Sequence, residues 1–188
     1  VLLKETVKGK LDFELSTDPE MVAICCDTVP ELATLVPERR EEITTEGGLD
    51  VIRSRGRLGE IIPAMYDAGI EEVALFVDPV VEQVEAAHDS GANTIELHTG
   101  DYANAKTRSE QLRLLEKLRI AADRATELGL KVHAGHGLDY VNFPLFAKQV
   151  AAVEEVSIGF AVVARAVLVG MDQAVRDMAT LVKKSYTA

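Results

Sequence analysis

Basic residues are scarce in this chain: 20 lysines and arginines stand against 31 aspartates and glutamates, a formal net charge of −11. Nucleic acid and acidic membrane surfaces both need a basic footprint, so neither is expected as a partner. An anionic small molecule remains compatible with that charge, provided local devices such as helix N-termini hold it. Cysteine is almost absent. The two present, Cys25 and Cys26, are adjacent within an apolar helical pattern, where an unstrained disulfide cannot form. They read as buried thiols of a reducing compartment, which places the protein in the cytoplasm. No apolar run approaches the roughly 18 residues that span a bilayer, and the opening Val1-Leu2-Leu3-Lys4-Glu5 does not read as a signal peptide. Tryptophan is missing and aromatics make up only 5% of the 188 residues, yet 47% are hydrophobic, enough for the core of one globular domain over residues 1–188.

Hairpin signals are missing too. Short β-rich runs at Leu11–Leu15, Ala33–Pro37, Val73–Val77, Thr94–His98, Lys131–Gly135 and Glu155–Gly159 alternate with amphipathic stretches. Asp18-Pro19 and Asp78-Pro79 each place a capping aspartate before a proline that suits the first helical position. Thr107 with Glu110 forms a capping-box pattern ahead of a helix that carries Leu115, Leu118, Ala122, Ala125 and Leu128 on one face. Gly69, Gly91 and Gly129 fall where helices end and left-handed backbone is favoured. Gly56, Gly59 and Pro63 interrupt residues 51–68, which predicts a short or kinked helix there.

Strict β/α alternation demands a parallel sheet, open or closed. No glycine-rich dinucleotide fingerprint follows a strand, which disfavours the open form. The expected fold is α/β, a TIM (β/α)8-type barrel with six of eight β/α units present in this sequence. An eightfold barrel takes about 250 residues, so the shortfall of about 60 residues matches two units. The last helix, 172–184, closes with lysines in its final turn, so the absent units are expected before Val1.

Alternation along the strands turns Asp12 and Glu14, and Thr94, Glu96 and His98, toward the barrel interior, where branched apolar residues are usual. One inward acid reads as part of a polar plug. Glu14, Glu96 and His98 together, near the C-terminal ends of strands, mark a candidate active site. The run Gly135-His136-Gly137 ends its strand with close backbone approach on either side of a rim histidine suited to proton transfer. His133 reads as a packed core group and His88 as surface. Glu96, His98 and His136 are residue types that bind zinc or iron, but their spacing is not diagnostic and no metal is expected. The stretches 135–137 and 159–161 occupy the position where barrels hold phosphate at a helix N-terminus. The polar segment 39–50, with hydroxyls and a Gly47-Gly48 pair, has the character of a substrate-covering loop.

Three motifs in this order, Leu-Val-Pro-Glu-Arg-Arg-Glu-Glu-Ile-Thr-Thr-Glu-Gly-Gly-Leu-Asp at 35–50, Ile-Glu-Leu-His-Thr-Gly-Asp-Tyr-Ala at 95–103 and Val-His-Ala-Gly-His-Gly-Leu at 132–138, resemble the pyridoxine 5'-phosphate synthase family. The resemblance covers essentially the whole chain and implies a homo-octameric barrel enzyme with no metal or organic cofactor. It implies condensation of 1-deoxy-D-xylulose 5-phosphate with 3-amino-2-oxopropyl phosphate to pyridoxine 5'-phosphate, phosphate and water. Carried over by motif, Glu14 becomes a general base, His136 a general acid and Glu96 the group that stabilises the transition state. Thr44 becomes a contact to the deoxyxylulose phosphate; Gly137 and the Gly159-Phe160 pair become contacts to the amino-ketone phosphate. The family has Gly-His where this chain has Gly159-Phe160, so a backbone contact carries over there and a side-chain contact does not. Its first two strands carry a catalytic histidine and phosphate-binding residues that these 188 residues do not include. Two other readings are compatible with the residues: another sugar-phosphate aldolase or epimerase barrel, and an inactive remnant that binds a phosphorylated metabolite.

Overall fold

The computed structural model describes residues 2–37 and 47–187, with the side chain of Thr187 left aside. A short helix α1 (Leu2–Thr6) precedes six repeats. They are β1 (Asp12–Leu15) with α2 (Pro19–Thr28), β2 (Leu32–Leu35) with α3 (Val51–Asp67), and β3 (Glu72–Val77) with α4 (Val81–Asp89). Then come β4 (Thr94–His98) with α5 (Gly100–Asn104) and α6 (Arg108–Glu127), β5 (Lys131–Gly135) with α7 (Phe143–Gln149), and β6 (Glu155–Ser157) with α8 (Phe160–Val169) and α9 (Met171–Thr187). Among the described residues the strands form one six-stranded sheet in sequential order, every neighbouring pair parallel. The sheet curls into a half-barrel: Lys10, just before β1, reaches Glu72 at the start of β3 (3.3 Å) and Glu155 on β6 (2.8 Å).

Register sorts the side chains into two populations. Leu15, Leu35, Val73, Leu75, Val77, Ile95, Leu97, Val132 and Ala134 belong to the apolar core beneath the helices. Their alternates share the concave face: Asp12 lies beside Leu32 and Leu32 beside Glu72, while Glu96 lies between Phe76 and His133. Each leucine that α6 buries against the sheet (Leu114, Leu115, Leu118) contributes about 1.5–3 kcal/mol, far more than helix propensity could supply.

The local signals act as their chemistry requires. Asp18 accepts from the Glu20 amide (2.9 Å) ahead of Pro19. The Thr107 hydroxyl accepts from the Glu110 amide (3.2 Å), while the Glu110 carboxylate accepts from the Lys106 amide (3.1 Å). Gly69, Gly91 and Gly129 all have positive φ.

Two expectations are corrected. Residues 51–67 form one uninterrupted 17-residue helix. Val51, Leu58, Ile61, Ile62 and Met65 anchor its buried face, while Gly56, Gly59 and Pro63 lie on the exposed side, where a backbone group that loses its helical partner to proline is not desolvated. Asp78 does not cap α4, which starts at Val81 behind Val80 and has no side-chain cap. Cys25 is buried and its thiol is pushed up to about 12 by desolvation, whereas Cys26 is only half-buried; both are free. No helix among the described residues is long and apolar enough to cross a membrane.

Candidate active site

The concave face carries two polar layers that behave differently. At the N-terminal ends of the strands, Glu72 is buried yet fully engaged. It accepts from the Thr94 hydroxyl (3.0 Å) and Lys131 Nζ (2.9 Å) and lies 3.2 Å from His133 Nε2. Burial alone would raise its carboxyl, but Lys131, Lys10, Thr94 and His133 outweigh that and hold it below the ordinary value. This is the polar plug, and His133 belongs to it as a packed group.

A second layer, from Asp12 at the start of β1 to Glu96 within β4, brings together residues singled out in the sequence. Oxygens of Asp12, Glu14 and Glu96 lie within 4.8 Å of one another. Asp12 accepts from the Thr34 hydroxyl (2.8 Å), yet burial dominates and pushes its carboxyl up to about 6. Glu96 is 1% exposed, and its Oε1 has no hydrogen-bond partner among the described residues. Burial first, then the nearby charges of Glu14, Asp12 and Glu155, lifts it to about 8. Glu96 is therefore a neutral acid near pH 7, able to donate a hydrogen bond, while Glu14 stands exposed to the cavity. Three clustered oxygens are donors that a hard cation accepts, but a carboxyl that retains its proton near neutrality is a poor ligand.

His136 stands over this layer, with Nδ1 3.9 Å from Glu96 Oε1. Its backbone is left-handed (φ 68°), a sparsely populated region for a residue with a side chain. The turn is held from below: the Thr99 amide donates to the Gly135 carbonyl (2.9 Å), and the Thr99 hydroxyl spans the Gly135 and His136 carbonyls. A Cβ at Gly135 would lie 1.9 Å from Glu96 Oε1, so only glycine leaves room for that carboxyl. Gly137 combines positive φ (87°) with an approach that would put a Cβ 2.6 Å from that of Ala103.

A cavity of about 1040 Å³ opens above these groups, lined among others by Glu14, His136, Gly137, Ser157, Gly159 and Phe160. At its wall α8 begins. Gly159 is its N-cap without a side-chain cap, and the first intrahelical bond runs from the Val163 amide to the Gly159 carbonyl. The amides of residues 160–162 are thus left without an intrahelical acceptor, at a helix start where Gly159, Phe160 and Ala161 line the cavity, while Phe160 is 90% exposed. A smaller, mostly apolar cavity of about 460 Å³ lies between β6, α8 and α9 and holds none of these site residues.

Glu14, His136, Gly137, Gly159 and Phe160 thus line one cavity, while Glu96 is buried behind it, 3.9 Å from His136 Nδ1. Thr44 lies outside the described residues. His98 faces inward as expected, but its partner Asp78 (3.0 Å from Nδ1) was not foreseen as a site residue. Thr99 and Phe76 were missed as well. Thr99 sits one residue past the strand, and Phe76 looks in sequence like any core ring.

Comparison with known proteins adds an independent result. A family model described as pyridoxal phosphate biosynthesis protein PdxJ matches residues 1–184. The pyridoxine 5'-phosphate synthase of Salinibacter ruber is 66% identical over 94% of this chain and 73% of its own length. That of Trichlorobacter lovleyi is 48% identical over 97% of this chain and 76% of its own. Among solved structures, the BexX/CysO complex of Amycolatopsis orientalis and a xylose isomerase domain protein from Planctomyces limnophilus each align with a TM-score of 0.56 over 93% of this chain. They cover 68% and 72% of those chains at 16% and 14% identity, a likeness of fold alone. With residues 1–184 matched by the family model, and 94% of its length aligned at 66% identity to one curated synthase, the chain belongs to the PdxJ family of pyridoxal phosphate biosynthesis.

Proposed function

We propose that the site condenses 1-deoxy-D-xylulose 5-phosphate with 3-amino-2-oxopropyl phosphate to give pyridoxine 5'-phosphate, phosphate and water. The observation that carries this reading is that an exposed glutamate, Glu14, and an imidazole, His136, line a single cavity with the buried carboxyl of Glu96 within reach of both. Ring closure requires amine addition to a ketone, loss of phosphate, and an aldol-type closure with loss of water, each with protons removed and returned. Glu14, open to the cavity, acts as the base. His136 returns protons to departing oxygen. Glu96, neutral because it is buried among acids, donates a hydrogen bond to oxygen as negative charge develops there.

Phosphate recognition in so acidic a chain falls to backbone. Gly137 supplies close approach, and the uncapped amides at Gly159-Phe160 supply donors at a helix N-terminus, a contact that survives any change of the Phe160 side chain. Thr44 serves as the contact to the deoxyxylulose phosphate. The half-barrel forms the larger part of an eight-unit barrel, in a cytoplasmic homo-octamer that works without metal or organic cofactor.

The test is mass-spectrometric detection of pyridoxine 5'-phosphate after incubation with both phosphorylated substrates. Product is expected. Absence of product from a folded protein that still binds the amino-ketone phosphate would replace catalysis with a binding role, and retro-aldol turnover of a sugar phosphate would replace it with aldolase chemistry.

A further inference from the structure

Asp78, the residue after β3, uses one oxygen for two bonds. Its Oδ1 accepts from the Gly48 amide (3.0 Å) and lies 3.0 Å from Nδ1 of His98. The fit at Gly48 is tight, since a Cβ there would lie 2.2 Å from the Asp78 amide nitrogen. The His98 ring is buried and held from several sides. Phe76 meets it edge-on with centroids 5.2 Å apart, and Gly100 lies so close that a Cβ would come within 2.5 Å of Nε2. The other side of this wall is His136: its ring centroid is 4.3 Å from Phe76 and 5.8 Å from His98, the two imidazoles at 81°.

A carboxylate on Nδ1 decides which nitrogen of a neutral imidazole carries the proton and how the ring is turned. The same bond holds the Asp78 carboxyl below its ordinary value, so the acceptor is an anion at neutral pH. His136 sits on left-handed backbone between two glycines, with its ring against Phe76 and His98. The positions of those two rings therefore bear directly on its orientation over Glu96.

We propose that Asp78 and His98 are a positioning pair for the proton donor His136: Asp78 locks His98 with its proton on Nδ1, and the locked ring, with Phe76, fixes the angle at which His136 faces Glu96 and the cavity. Neither residue touches substrate in this assignment. It rests on the synthase reading for its catalytic consequence, but the geometry can be read without turnover.

The experiment compares the protein with D78A and D78N by long-range proton–nitrogen NMR of the imidazoles and by steady-state kinetics with both phosphorylated substrates. The unaltered protein is expected to show His98 protonated at Nδ1. D78A is expected to lose that preference, to shift the His136 resonances, and to lower kcat on the order of tenfold or more, with KM little changed. D78N, which keeps an oxygen acceptor, should recover the Nδ1–H form and fall between D78A and the parent in kcat. A His98 protonated at Nε2 in the unaltered protein overturns the proposal, even if D78A fails to fold. So do unchanged His98 and His136 spectra in D78A, or a loss carried wholly by KM. If the unaltered protein makes no product, the synthase reading fails while the spectra still decide the pair.

Discussion

Glu96→Gln removes a titration without removing volume, and the structure fixes what should follow. Burial and the neighbouring acids raise the Glu96 carboxyl from 4.5 to about 8 in the folded protein. At the acid end the group is protonated in both folded and unfolded chains, and its ionisation makes no difference to stability. Between the two values the unfolded chain has released the proton and the folded protein has kept it. Stability therefore falls as pH rises, by about 1.4 kcal/mol per pH unit for one proton. Above about 8 both states are ionised and the loss stops growing, at a ceiling of roughly 5 kcal/mol that residual structure in the unfolded chain reduces. Glutamine has no proton to release. The stability of E96Q relative to the parent should therefore climb with that slope through the window and level off at both ends. Urea denaturation of both proteins from about pH 5 to about pH 9 measures the difference directly. A flat difference curve would show that Glu96 is ionised in the folded protein, and its role as a neutral hydrogen-bond donor would fall with it.

Three further outcomes follow from named contacts. Gly135→Ala drives a Cβ into Glu96 Oε1 (1.9 Å) and against Ser157 (3.3 Å). It should cost about 1–3 kcal/mol in chemical denaturation and displace the carboxyl, so that turnover falls while phosphate binding at the rim persists. Glu14→Gln should cut single-turnover rates by about 10²- to 10⁴-fold with substrate affinity by calorimetry nearly intact, and equal activity would remove Glu14 from the mechanism. Thr107→Ala deletes the acceptor for the Glu110 amide and should lower stability by about 0.5–2 kcal/mol with turnover unchanged.

What was legible in the sequence was what depends on period and on local capping. Alternation along β1 and β4 placed Glu14, Glu96 and His98 on the concave face, because a strand has only two sides. Gly-His-Gly announced a tight rim, and the glycines at helix ends announced their own φ. The errors share one cause. Asp78-Pro79 has the local form of a cap, but a histidine 20 residues away offers the carboxylate a buried partner, and a contact of that kind leaves no local trace. Gly56, Gly59 and Pro63 look disruptive in sequence; tertiary packing on the opposite face of α3 overrides their propensity. Thr99 and Phe76 earn their roles from what lies across the sheet, so no spacing could have marked them.

The sharper distinction is between two glutamates, of which only Glu96 stood out in the sequence. Glu72 and Glu96 lie on adjacent strands, face the same interior and are both nearly inaccessible, at 6% and 1%. Desolvation works against the charge of each. At Glu72 two lysines, a hydroxyl and an imidazole supply what water no longer does, and the carboxyl stays ionised. At Glu96 the charges that act on the carboxyl are those of other acids, one oxygen is left unbonded among the described residues, and the proton is retained. An evolved interior that merely needed stability would satisfy both in the same way, since an unsatisfied buried polar atom costs about 1–3 kcal/mol. That cost is left at Glu96, next to a histidine on left-handed backbone, and removed at Glu72, a contrast that fits the proposed catalytic role of the Glu96 end of the half-barrel.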